Sequence, residues 1–275
     1  MSKQNLRSVE DYIALKAIKP DHHISYGKHP EQFGELYLPQ SSGPYSVIIL
    51  IHGGCWRAQY GLSQLGSLSK ALTTLGFAVW NIEFRRLGNG GGWPITFEDV
   101  SLGADFLRSI AEKYSLDLSS VSAMGHSAGG HLALWLAGRY HLPTSSQLFS
   151  KTPLKLKSIV SLAGIPDLVE GVNQIICRGA CQELLGDLPD KFPERYHQAS
   201  PHYLLPLNIP QWHLVGEHDP IVPVNYLEPY IETASQQDDV HFEIIPDIGH
   251  FEMVMPDTIS WNSIKHAVLR IAHEK

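Results

Sequence analysis

Residues 120–140 read "SVSAMGHSAGGHLALWLAGRY". In the middle, Gly125-His126-Ser127-Ala128-Gly129 fits the G-x-S-x-G pattern, with a β-rich run before it and a segment of helical period after it. That context is the one a nucleophile elbow needs. A serine on so sharp a turn stands clear of the sheet beside the amino end of the next helix, where unpaired N–H groups favour negative charge. A hydroxyl is a poor nucleophile at neutral pH, so it needs a base and a group that orients the base. In such a chain order an acid follows the serine and a histidine comes last. Asp219, in "GEHDPIVP", stands at the carboxyl end of one predicted strand, and His250, in "DIGHFEMV", stands in the loop after the next. Glu217 and Asp247 compete for the acid's role, but Glu217 still lies in the strand and Asp247 is too near His250 in sequence to reach round it. His126, His131, His213, His218 and His241 compete for the base's role, and only His250 sits in a glycine-preceded loop after a strand.

Attack on a carbonyl also needs donors for the oxygen that becomes negative. "HGGCW", residues 52–56, follows the apolar run "SVIILIH", and its glycines allow close backbone approach to a substrate. The N–H groups of Gly54 and Cys55, with that of Ala128, are the expected oxyanion donors. Trp56 beside this segment, Trp93 after the Gly90-Gly91-Gly92 run, and His126 within the elbow are the expected lining of a substrate pocket.

These groups must be brought to one edge of a sheet. Short β-rich runs at 34–39, 46–52, 77–84, 120–124, 157–163, 211–217 and 240–246 alternate with helical periods near 61–75, 97–114, 127–140, 223–236 and 257–273. Such alternation predicts an α/β fold, a mostly parallel sheet flanked by helices, with all of 1–275 in one domain. Residues 165–210, rich in Pro and Gly, are too long for a plain connection and predict a cap-like insertion of short helices.

The chain has 275 residues, 43% of them hydrophobic, with 21 basic and 28 acidic side chains for a net charge of −7. No run of Lys or Arg suggests a phosphate backbone as partner, so nucleic acid is not expected. No apolar stretch reaches membrane-spanning length. The polar start "MSKQNLRSVEDYIALKAIKP" lacks the apolar core of a secretion signal, and a cytoplasmic location is expected. Three cysteines do not describe a disulfide framework. Cys177 and Cys181, four apart, are expected as ordinary thiols, with a local disulfide or a weak metal site as the alternatives. Neither a metal nor an organic cofactor is indicated, since no HExxH or CxxC spacing occurs among the fifteen histidines and three cysteines.

From about residue 26 to the end, "HGGCW", "GHSAGGHLAL", "ASPHYL", "GEHDPIVP" and "GHFEMV" make the chain resemble an α/β-hydrolase of the esterase and lipase type. It is similar to the kynurenine formamidase-like branch and to small carboxylesterases. Two positions depart from the formamidase pattern: Cys55 stands where tyrosine or glycine is usual, and Gly130 where alanine is. The resemblance implies Ser127, Asp219 and His250 as triad, and Gly54, Cys55 and Ala128 as oxyanion donors. The expected activity is hydrolysis of a small carboxylic ester, or alternatively of an aryl formamide, with a non-catalytic binding protein on the same fold as the remote third reading.

Overall fold

A computed structural model of the chain describes residues 6–273. The first five residues of the polar N-terminal segment lie outside the described residues. Eight strands form one sheet: β1 (His22–Ser25), β2 (Phe33–Tyr37), β3 (Tyr45–Ile51), β4 (Ala78–Ile82), β5 (Leu116–His126), β6 (Ile159–Leu162), β7 (Gln211–Gly216) and β8 (Val240–Ile245), in the order β1-β2-β4-β3-β5-β6-β7-β8. β1 and β2 join antiparallel, and β3 to β8 run parallel. All seven predicted strands form. β1 was not expected, because "HHIS" offers neither an apolar run nor alternation and pairs only as the sheet's edge.

Ten helices accompany the sheet among the described residues: α1 (Val9–Ile13), α2 (Gly66–Thr73), α3 (Ile95–Asp105), α4 (Leu107–Tyr114), α5 (Ala128–Gly138), α6 (Leu168–Asn173), α7 (Ala180–Leu185), α8 (Pro193–Ala199), α9 (Val224–Ser235) and α10 (Ser260–His273). The helical period at 97–114 is divided at Phe106 into α3 and α4. α1 was not expected. Its Ser8 and Asp11 form a reciprocal capping box, which supplies partners to an otherwise marginal one-turn helix.

Strands β4, β6 and β7 and residues 47–51 of β3 are buried throughout, whereas the edge strands β1 and β8 are largely not. Burial on both faces explains why residues 47–51 read as an unbroken apolar run. Along β3, Val47, Ile49 and Ile51 face one core together with residues of α3, α4, α5 and α9. Ile48 and Leu50 face the other, with residues of α2 and α10 and with Tyr12 of α1. All eleven residues of α5 are buried, because the insertion covers the side of the helix that the sheet leaves open. Trp135 Nε1 donates to the Gln198 carbonyl at the end of α8, one of the bonds that hold this cover down. The insertion expected at 165–210 consists of α6, α7, α8 and two short 3-10 turns.

β4 and β5 lie on opposite sides of β3, although both follow it in the chain. Strand order reverses there, and ligands of open α/β sheets bind at such a point, beyond the carboxyl ends of the strands. The register pairs Ile51 with Gly125 and Leu162 with His126, so the loops leaving β3, β5 and β6 start side by side.

Candidate active site

Ser127 lies between β5 and α5 with φ 55° and ψ −121°, a backbone conformation that non-glycine residues rarely adopt. The turn closes because its flanking glycines have no side chains. A Cβ on Gly129 would sit 2.0 Å from the Ile51 carbonyl oxygen, and one on Gly125 would sit 2.1 Å from that of Gly129. No other residue fits at either position without moving backbone. The departure at Gly130 has the same cause, since a Cβ there would approach the Gly164 Cα to 2.7 Å. The serine N–H donates to the Leu162 carbonyl at 2.8 Å, fixing the elbow to β6.

His250 Nδ1 donates to Asp219 Oδ2 at 2.6 Å, with both side chains almost fully buried. The other carboxylate oxygen, Oδ1, accepts from the N–H groups of Ile221 and Val222, each at 2.8 Å. The carboxylate is thereby held on both sides. An imidazole whose Nδ1–H donates to Asp219 has Nε2 left as its acceptor whenever the ring is neutral. Glu217 and Asp247, the rival acids, are exposed. The Ser127 hydroxyl makes no hydrogen bond to His250 in this state. The elbow and the histidine loop are instead joined one residue earlier, where His126 Nε2 donates to the His250 carbonyl at 3.0 Å and the two rings stand 4.5 Å apart. Hydrogen bonds of catalytic groups commonly tighten only when substrate is bound.

Glu252 was not singled out, yet its buried carboxylate accepts from the N–H groups of Gly249 and Arg7 and so fastens the His250 loop from both sides. Tyr12 packs against His126, Phe251 and Tyr60. Sequence offered a signal only for Glu252, through its place in "GHFEMV".

Gly54, Cys55 and Trp56 have φ of 103°, 52° and 54°, three successive residues in the left-handed region. Gly53 packs on the elbow, where a Cβ would meet the Ser127 Cβ at 3.1 Å. The N–H groups of Gly54 and Cys55 have no protein acceptor, and the N–H of Ala128, in the first turn of α5, has none within its helix. Beneath the loop, His52 bridges the Gly53 carbonyl and Glu83, each at 2.8 Å. Its partner's carboxyl stays below the usual range despite burial, because His52 and Arg86 stand beside it.

Three expectations are corrected. Trp56 is fully buried and so packs in the core, where its Nε1 donates to His131 Nδ1 at 3.2 Å. His126 is equally buried and acts as a bridge to the histidine loop instead of lining a pocket. The cysteine pairing differs as well: Cys55 is bonded to Cys177, and Cys181 is the free, buried thiol. Trp93 is half-buried and packs on Phe97, with its N–H on the Leu184 carbonyl of α7. Two surface depressions, one lined by Lys70 and Thr74 and the other by Arg108 and Tyr140, do not include Ser127 or His250.

The buried histidines set an expected acid response. Burial lowers His131 to about 4 and His213 to about 3, and burial with the nearby His250 holds His126 well below its ordinary range. For His131 the reason is visible: Nδ1 accepts from Trp56 while Nε2 donates to Ala199, so a second ring proton would face a donor. In the unfolded chain these rings take up protons below about pH 6.5, whereas the native state does not. Stability is therefore lost as pH falls from about 6.5 toward 4, by about 3 kcal/mol from His131 alone. Urea unfolding at pH 7, 5.5 and 4.5 checks this, and equal midpoints would contradict it.

The strand order, the elbow at the switch point and the flanking helices define an α/β-hydrolase fold. Residues 35–228 match the BD-FAE family, and the chain belongs to that family. It is 29% identical over 150 residues to the kynurenine formamidase of Danio rerio, 53% of this chain and 46% of that protein. It is 25% identical over 185 residues, 66% of this chain and 43% of the relative, to a probable isoprenylcysteine alpha-carbonyl methylesterase of Arabidopsis thaliana. The chain thus spans less than half the length of these curated relatives. A truncated carbohydrate esterase from gut microbiota shares its fold with a TM-score of 0.79 at 21% identity, over 95% of this chain and 99% of that one. Among the described residues no helix is long and apolar enough to cross a membrane.

Proposed function

We propose that the protein is a serine hydrolase of small carboxylic esters, working through an acyl-enzyme on Ser127. The observation that carries this reading is the His250–Asp219 hydrogen bond of 2.6 Å, joined through His126 to a serine held on a strained elbow. Nε2 of His250 takes the Ser127 proton as Oγ attacks the ester carbonyl, and the oxyanion forms against the N–H groups of Gly54, Cys55 and Ala128. The imidazolium returns the proton to the leaving alcohol, and water then releases the acid by the same steps in reverse. Because the donors are backbone groups, the residue at position 55 does not have to be the family's usual one. The chemistry requires neither metal nor organic cofactor, and the partner is a small ester or amide.

A second reading, hydrolysis of an aryl formamide, is favoured by the similarity to the Danio rerio kynurenine formamidase. Both bonds pass through a tetrahedral intermediate that the same groups would stabilise, so substrate choice must be measured. p-Nitrophenyl acetate, butyrate and octanoate are compared with N-formylkynurenine by kcat/KM. The ester reading expects the short esters to lead by at least about tenfold; the reverse order would replace it by the formamide reading. An organophosphate should add its mass to the peptide carrying Ser127, and labelling elsewhere would overturn both. A reducing compartment such as the cytoplasm would keep Cys55 and Cys177 as thiols, and an oxidising one would keep them bonded. Trapping the thiols at cell lysis therefore reads out the compartment.

A further inference from the structure

Two segments with left-handed residues are joined by one covalent bond. One is Gly54-Cys55-Trp56 after β3, and the other is Ile175 with Cys177, Arg178 and Gly179 in the insertion, at φ of 55°, 56°, 54° and 86°. Non-glycine residues keep such angles only where their surroundings over-determine them. For the first segment the surroundings can be named. Trp56 is locked into the core by His131, and the Arg57 N–H returns to the Gly54 carbonyl at 2.9 Å. The Arg57 guanidinium grips Glu183 of α7 with two bonds, at 2.7 and 2.9 Å. Between them, the Cys55 side chain leaves the loop and is covalently joined to Cys177, 122 residues away.

The backbone N–H of Cys55 and its side chain leave the same Cα, so a side chain tied to the insertion leaves the amide little freedom to turn. We propose that the Cys55–Cys177 disulfide, seconded by Arg57–Glu183, positions the Cys55 amide as an oxyanion donor, and that reducing it switches catalysis down. The proposal rests on the oxyanion role given to that amide above. Cys177 is here a positioning residue, since it acts on the reacting atoms only through Cys55. Freed of the bond, Cys55 can relax to a right-handed φ, which swings its N–H off the carbonyl oxygen. The loss falls on the transition state, where the oxygen carries charge, and hardly on the ground-state complex.

The switch requires a two-electron reductant. A trialkylphosphine donates its electron pair to the S–S bond, and with one water the products are the two thiols and the phosphine oxide. Cys181 is a poor resolving thiol, because burial pushes it up to about 12 and keeps it protonated.

The test uses the full chain carrying Cys181→Ala, so that no other thiol can exchange. Oxidised and phosphine-reduced protein are compared on p-nitrophenyl acetate, with alkylation mass counting thiols and circular dichroism following the fold. The expected result is a fall in kcat of about tenfold or more with KM within about twofold, short of the loss expected when a donor is removed outright. Affinity for a trifluoromethyl ketone should fall by the same factor, and reoxidation should restore both. A bond that served stability alone would lower the melting temperature and leave kcat unchanged in the folded, reduced protein. Unchanged kcat, or a rise in KM by itself, overturns the proposal. Should reduction unfold the chain, Cys177→Ser, which keeps the side chain's size without branching at a position with φ 56°, is measured instead. Unfolding in that variant too assigns the bond to stability and also overturns the proposal. Ser127→Ala in the same assay separates the two readings. An active Ser127→Ala protein sinks the hydrolase reading, whereas an inactive one beside a fully active reduced enzyme sinks only the positioning role.

Discussion

Ser127→Ala is expected to lower kcat for p-nitrophenyl acetate by on the order of 10⁵- to 10⁶-fold, with the fold intact. The size follows from what the hydroxyl does. Without it there is no acyl-enzyme, and what remains is the help that binding and the oxyanion donors give to attack by water. The substitution is unusually clean here. Alanine tolerates the φ of 55° as well as serine does, and the Ser127 N–H to Leu162 bond belongs to the backbone. Loss of activity could not then be blamed on a collapsed elbow, which circular dichroism and the thermal midpoint would verify. The same variant should be blind to an organophosphate that labels the parent protein. Turnover within tenfold of the parent would remove Ser127 from the mechanism.

Asp219→Asn is expected to cost about 10⁴-fold in kcat at pH 7. The hydrogen bonds around the carboxylate say why so small a change would matter. Oδ1 accepts from two backbone N–H groups, those of Ile221 and Val222, so the asparagine carbonyl must take that place. Its NH₂ then faces His250 Nδ1, which can only accept. The imidazole proton moves to Nε2, the atom that has to receive the Ser127 proton, and the base is disabled without leaving its position. Glu217→Gln, at the exposed rival acid, should change kcat by less than twofold. If the two variants behaved alike, Asp219 would not be the orienting acid. Steady-state kinetics on the two purified proteins decides it.

Much of this site was legible along the chain because its chemistry imposes local rules. An elbow needs glycines at fixed offsets from the serine, and the contacts of Gly125 and Gly129 with backbone show the rule acting through volume alone. Asp219 and His250 were legible because parallel strands deliver their carboxyl ends to one edge, so a polar residue just after a strand carries information about where it lies. The unbroken apolar run Val47–Ile51 of β3 announced burial on both faces of the central sheet. The helix α1 and the edge strand β1 escaped notice. Each is short and weakly patterned, and each is held by partners distant in sequence, such as Glu252 on the Arg7 N–H and β2 on β1.

By itself, then, the sequence determined seven of the eight strands, the mostly parallel sheet and the elbow, since periodicity, glycine volume and strand direction are properties of neighbouring residues. Tertiary structure alone decided that Trp56 and His126 are packed inside, that Glu252 ties down the histidine loop, and that Cys55 bonds to Cys177 and not Cys177 to Cys181. Those outcomes depend on distances between segments more than a hundred residues apart or on which side of a loop is covered. A side chain's type does not encode what the rest of the chain will lay over it.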